Sequence, residues 1–161
     1  MLRWQCARLQ DLSAATLYEA LKLRSEVFVV EQRCLYLDPD GFDLQAWQVL
    51  GFDPCSGALM ACARLLPACA KGEAQAAPMI GRVALAAAAR GAGQGRALME
   101  FALQHCERLW PGEAIELGAQ ARLQHFYASF GFVPISEVYD EDGIPHVDMR
   151  RLPVPTGDLT P

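Results

Sequence analysis

The spacing of apolar residues changes several times along the chain, and each change marks an element. Leu2 to Leu9, LRWQCARL, reads as a first strand. Ser13 is a good N-cap for AATLYEALKLRSEVF, where Leu17, Leu21 and Phe28 share one helical face, so a helix is expected from about Ala14 to Phe28. VVEQRCLYLDPDGFD has no period and is broken by Pro39 and Gly41. AWQVLGF and ALMACARLL read as a hairpin turning at DPCSG. PACAKGEAQAAP reads as a loop with little to bury, and MIGRVAL as the next strand.

Further on, Leu98, Ala102, Cys106 and Leu109 recur at helical spacing until Pro111 and Gly112 stop the pattern. AIELGA is a short strand. Leu123, Phe126, Tyr127 and Phe130 stand at i, i+3, i+4 and i+7, one apolar helix face, with Gly131 placed to cap it. FVPISEVY and HVDMRRL read as a final hairpin around DEDGIP. The order β-α-β-β-β-α-β-α-β-β predicts an α/β (α+β) fold with a mixed sheet. One domain is expected over residues 1–152, with residues 153–161 a disordered tail.

Composition narrows the partners. The chain has 161 residues, 52% apolar and 20% charged, which suits a globular domain with a sizeable core. A net charge of −5 with no basic stripe argues against a nucleic-acid partner. The apolar runs fall short of the roughly 18 residues that a membrane span needs. MLRWQCARLQDL has no apolar run of the kind a signal peptide carries. Cys6, Cys34, Cys55, Cys62, Cys69 and Cys106 lie scattered with no C-x-x-C spacing. They read as reduced, mostly buried thiols of a cytoplasmic protein, not a disulfide scaffold or a zinc site. No metal site is expected; DPDGFD has calcium-like aspartates but lacks the remaining ligands.

The sharpest feature is RGAGQG, Arg90 to Gly95, between an apolar strand and a long helix. A helix start carries unpaired N–H groups and partial positive charge, and glycines let a phosphate approach them. The direct reading is a phosphate cradle closed by Arg90 or Arg96; the plainer one is a flexible strand-to-helix turn. A P-loop would need a lysine that is absent, and a G-x-G-x-x-G dinucleotide turn starting at Gly91 meets Arg96 where it needs glycine.

The register that fits is [RQ]-x-x-G-x-G, on Arg90, Gly93 and Gly95. With YASFGF as a Y-x-x-x-G-F signature, it resembles the GNAT N-acetyltransferases. VFVVEQRC, DPDGFD, IGRVAL, LGAQARLQHFYASFGF and YDEDGIPH extend the likeness to the ElaA-like branch, over roughly residues 4 to 150. The resemblance implies a mostly antiparallel sheet flanked by helices and acetyl-CoA as acyl donor for an amine acceptor. It implies pyrophosphate on the N–H groups of Gly91, Ala92, Gly93, Gln94, Gly95 and Arg96. It puts the pantetheine arm along the backbone of Val83, Ala84 and Leu85, with Gln120 beside it. Tyr127 matches the residue that stabilises the departing thiolate. The base is open among His146, Glu116, Glu31 and Arg82, with His146 leading because a hairpin could carry it over the substrate. Gln48 departs from the pattern, in a strand where a histidine is expected. The resemblance leaves a homodimer open, and a non-catalytic acyl-CoA-binding module is the alternative reading. The acids Glu31, Asp38, Asp40, Asp43, Asp140, Glu141 and Asp142 suit a polyamine, a lysine side chain or an amino sugar, and select none.

Overall fold

The computed structural model describes residues 1–153, so the expected tail lies outside the described residues except for Pro153. Strands β1 (Arg3–Arg8), β2 (Trp47–Phe52), β3 (Leu59–Leu66), β4 (Met79–Leu85), β5 (Ile115–Gln120), β6 (Val133–Pro134), β7 (Tyr139–Glu141) and β8 (Ile144–Arg151) form one sheet. Its order is β1-β2-β3-β4-β5-β8-β6, with β7 also paired to β8. Every pairing is antiparallel except β4 with β5. A parallel pair needs a crossover, and α2 (Gln94–Leu109) supplies it.

The sheet is covered on both faces. α1 (Ala14–Arg24) begins at Ser13, whose hydroxyl accepts from the Thr16 N–H at 3.1 Å. Its Ala20 and Leu23, with Val27 and Phe28 of the helical turn that follows, pack on Leu50, Phe52, Cys62 and Ala84. On the other face, Leu98, Met99, Ala102 and Cys106 of α2 meet Val49, Ala61, Ala63, Leu65 and Ile80. Alternate residues of β2 and β3 therefore feed opposite cores, as the two-residue strand period requires. Gly51 lies opposite Trp4, and a Cβ there would come within 2.5 Å of the indole ring.

Four departures from the expected elements matter. First, the predicted helix to Phe28 continues as a π-helical turn, Ser25–Glu31, closed by Gln32 N–H to Val27 O at 3.0 Å. Second, β4 is not a plain strand. Its register against β3 slips between Cys62 and Arg64, and Arg82 takes φ 52°. The extra residue inverts the alternation: Ile80 faces the α2 core, but four residues on Ala84 faces the α1 core. Third, the segment predicted as one strand, FVPISEVY, becomes two short strands, β6 and β7, both paired to β8. The apolar face from Leu123 to Phe130 is also shorter than expected: a 3-10 turn, Ala121–Leu123, leads into the five-residue α3, Gln124–Ala128.

Candidate active site

β4 and β5 bridge only at Met79 and Glu116 and then part. Between them lies a cavity of about 520 Å³, lined by Ile80 to Val83 on one side and Leu117, Gly118 and Gln120 on the other. An antiparallel neighbour pairs each of these strands on its far side, so their facing edges are open toward the gap. Tyr127 and His146 both line this cavity, so the fold brings together the two residues singled out as catalytic candidates.

Beyond β4 the chain turns through a 3-10 turn, Ala87–Ala89, into the glycine loop. Gly91 and Gly93 take φ 80° and 75°, the left-handed region where glycine is at home. Gly93 caps α2, and the first amide taken up is Ala97 N–H, to Gly93 O at 3.2 Å. The amides of Gln94, Gly95 and Arg96 thus stand at the positive end of a four-turn helix. The arginines are otherwise engaged. Arg90 grips both Glu31 oxygens at 2.7 and 2.8 Å and also donates to Leu85 O. Arg96 donates to the Ser129 hydroxyl at 2.8 Å and lies over the Phe130 ring. The groups this loop leaves unengaged are therefore backbone amides, not the two arginine side chains.

Gln120 donates its amide to Gln32 Oε1 at 3.1 Å and accepts from Arg122 at 3.0 Å, so it ties β5 to the end of the π-helical turn. Tyr127 is 6% exposed. Burial pushes its phenol up to about 12, so it is a neutral hydroxyl at any ordinary pH. His146 sits in β8 opposite both Gln120 and Tyr139. Its Nδ1 is 2.8 Å from Ile144 O and its Nε2 3.3 Å from Glu141. The carbonyl calls for an N–H on Nδ1, an assignment made from this hydrogen bond; in the neutral ring Nε2 then carries the lone pair.

The other base candidates are committed elsewhere. Glu31 holds Arg90, which keeps its carboxyl below the usual range. Glu116 holds Arg150 across the β5–β8 pair. Arg82 donates to Asp38 at 2.7 Å and Asp40 at 3.1 Å. His105 bonds Phe101 O, and His125 is exposed.

Sequence reasoning missed the polar core beside the cavity. Arg24 and Arg64 are 2% and 1% exposed. Arg24 binds Asp38 at 2.8 Å and Asp43 at 2.7 Å, and Arg64 grips Asp40 at 2.7 and 2.9 Å. The aspartates of DPDGFD therefore serve three arginines, Arg24, Arg64 and Arg82, instead of facing a cationic ligand. Gln48 joins them by donating to Asp43 at 3.0 Å, which gives this residue a structural use. The one available signal was three aspartates at two- and three-residue spacing, and it named no partner.

Residues 68–153, a little over half the chain, match the family described as Acetyltransferase (GNAT) domain. Protein ElaA of Escherichia coli is 46% identical over 154 residues, 94% of this chain and 97% of that protein. The chain belongs to the GNAT acetyltransferase family. Its fold agrees with that of two similar solved structures. One, an acyl-CoA N-acyltransferase from Pseudomonas aeruginosa, superimposes with a TM-score of 0.86 at 46% identity, covering 94% of this chain and 99% of that one. The other, Escherichia coli ElaA, gives 0.85 at 45% identity with the same coverage. A GNAT acetyltransferase uses an acyl-CoA co-substrate and an amine acceptor. The parted strands and the glycine-capped helix fit such a co-substrate: one offers free main-chain groups, the other free amides.

Proposed function

We propose that this enzyme moves an acetyl group from acetyl-CoA directly to the amine of a small-molecule or peptide acceptor. The observation that carries the reading is the open edge of β4 running into the glycine-capped start of α2, with Tyr127 lining the cavity between. The pyrophosphate sits on the amides from Gly91 to Arg96. Arg90 shapes the loop through Glu31 and Leu85 O and does not clamp the phosphate itself. The pantetheine arm adds as a strand to the main chain of Val83, Ala84 and Leu85, with the Gln120 amide across the gap.

In the transfer the amine nitrogen bonds to the acyl carbon, the carbon–sulfur bond breaks, and the amine loses a proton. An alkyl ammonium costs about 4.6 kcal/mol to neutralise at pH 7, so a proton acceptor is needed. His146 Nε2 takes this part directly or through water. Tyr127 donates a hydrogen bond to the departing thiolate; its phenol is a weaker acid than a thiol and keeps its proton. Six free cysteines fit a cytoplasmic setting.

The test is thermal. At one hundred times its dissociation constant a ligand adds about 2.7 kcal/mol, a rise of roughly 5 to 10 °C at this size. Acetyl-CoA and CoA are expected to give it, and ATP and NAD⁺ are not. Tyr127→Phe is expected to keep the rise and lose at least tenfold in thiol release with an amine acceptor. A rise with ATP or NAD⁺ alone ends the acetyl-CoA reading. Unchanged turnover in Tyr127→Phe removes the tyrosine from the mechanism, and binding with no thiol release on any amine favours a non-catalytic acyl-CoA module.

A further inference from the structure

The acidic surround suggested by the sequence is largely spent within the protein. Asp38, Asp40 and Asp43 are met by Arg24, Arg64 and Arg82, three charges against three. Glu31 is met by Arg90. What is left around the cavity is bipolar. On one wall, the β7–β8 hairpin presents Glu141, Asp142 and Asp148 together with His146. On the other, the loop between β3 and β4 presents Lys71, next to Arg64 and Arg82. Arg122, the remaining cation, is held by Gln120 and acts on Glu31, near Arg90 of the glycine loop.

Lys71 is exposed, but its backbone is held in place. Its N–H donates to Gln75 Oε1 at 2.9 Å, while the same amide group of Gln75 donates to Pro67 O at 2.8 Å and Ala77 O at 2.9 Å. Gln75 is buried, so one side chain braces the whole loop from within. The Lys71 ammonium lies 5.8 Å from the centre of the Phe42 ring. Among the described residues it forms no ion pair, whereas Arg64 and Arg82 beside it each hold carboxylates. Burial, then the charges of Arg64 and Arg82, lowers its pKa from the ordinary lysine value. An exposed ammonium on the cavity wall beside two guanidiniums has no carboxylate of its own, and a ligand carboxylate would supply one. Glu141 lines the same cavity as Lys71, from the β7–β8 hairpin.

We infer that the acceptor carries a carboxylate as well as its amine, with Lys71 binding the carboxylate and the Glu141–Asp148 wall receiving the amino end beside His146. This rests on the acetyl-transfer reading above. Arg122 also lines the cavity without an ion pair among the described residues, but its guanidinium is held by the Gln120 oxygen, so Lys71 is the cation offered to a carboxylate, and the acidic hairpin disfavours a more highly charged anion. A polyamine would leave Lys71 unpaired and add like charge next to it. The substrate class is therefore a small amino acid or a similar amino carboxylate.

Turnover with acetyl-CoA should be compared between amino acids and their α-amides, with spermidine and glucosamine as carboxylate-free amines. The free acids are expected to win by at least tenfold in kcat/KM. Lys71→Gln should bring acid and amide level while leaving the KM for acetyl-CoA unchanged, and Lys71→Arg should keep the preference. Amides or spermidine used as well as the acids, or a preference that survives Lys71→Gln, would overturn the assignment. Binding of N-acetyl amino acids and their N-acetyl amides to the CoA complex, read by tryptophan fluorescence, needs no turnover. Tighter binding of the acids, lost in Lys71→Gln, supports the subsite even if no amine is acetylated and the transfer reading fails. Equal binding of acid and amide, or none of either, refutes it.

Discussion

At the scale of single residues, the most consequential groups are ones whose partners lie far away in sequence. Arg24 meets aspartates 14 and 19 residues on, and Arg82 reaches back 44 residues to Asp38. On α1, Arg24 occupies a position that helical periodicity would give to an apolar side chain. Buried, it costs desolvation that its hydrogen-bonded carboxylates offset. Arg24→Met should therefore lose up to about 3–5 kcal/mol in urea unfolding, because Asp38 and Asp43 lose their shared partner and are left with one arginine each, Arg82 and Arg64. Tyr18→Ser, on the exposed side of the same helix, should change little. Similar losses in the two variants would mean that the network contributes nothing. Tyr127 and His146, which both line the cavity, stand in the YASFGF and YDEDGIPH stretches; Arg24 and Arg64 stand in neither.

At the scale of elements, local signals predicted most boundaries. Ser13 caps α1 as expected, and α2 stops at Leu109, before Pro111. The glycine loop shows why glycine recurs there. A Cβ at Gly93 would meet nothing within 4 Å, so its φ of 75° alone is what disfavours other residues. Gly93→Ala is expected to cost about 1–2 kcal/mol by chemical denaturation, and Gly93→Asn less, since asparagine tolerates the left-handed region. An alanine variant as stable as the parent would show that the turn relaxes freely. Gln75 is the opposite case. PACAKGEAQAAP has the composition of an idle loop, but a single internal amide organises it. The bulge in β4 was equally hidden, because MIGRVAL is regular as a string and the extra residue exists only relative to β3.

At the scale of the whole molecule, buried titrating groups set a stability window. Burial alone would raise Asp40, but the hydrogen bonds and charge of Arg64 bring it down to about 2. Asp43 is likewise desolvated and is pulled below its usual range by Arg24. Carboxyls lowered on folding add stability above the ordinary aspartate range, and this is lost as pH falls toward 2. Burial pushes Cys62 and Cys106 up to about 12 from 9.0, and Tyr127 to about 12 from 10.0. Groups raised on folding add stability that is present below their unfolded values and lost as pH rises through their folded ones. Urea unfolding across pH should thus give a plateau from about pH 5 to 8, falling on both sides. Stability unchanged from pH 5 down to 2 would contradict the arginine–aspartate account.

The family and its helix-flanked sheet came through the resemblance carried by two short motifs; the sequence by itself determined the alternation of strands and helices and the glycine-capped helix. Each of these depends on residues near one another in the chain, through hydrogen-bonding reach, helical or strand period, and backbone freedom. Only the tertiary structure decided where β4 and β5 part, which charges cancel and which cation is left facing the cavity. Those outcomes depend on distances between segments tens of residues apart, and a carboxylate reads the same in the sequence whether it faces a ligand or a buried arginine.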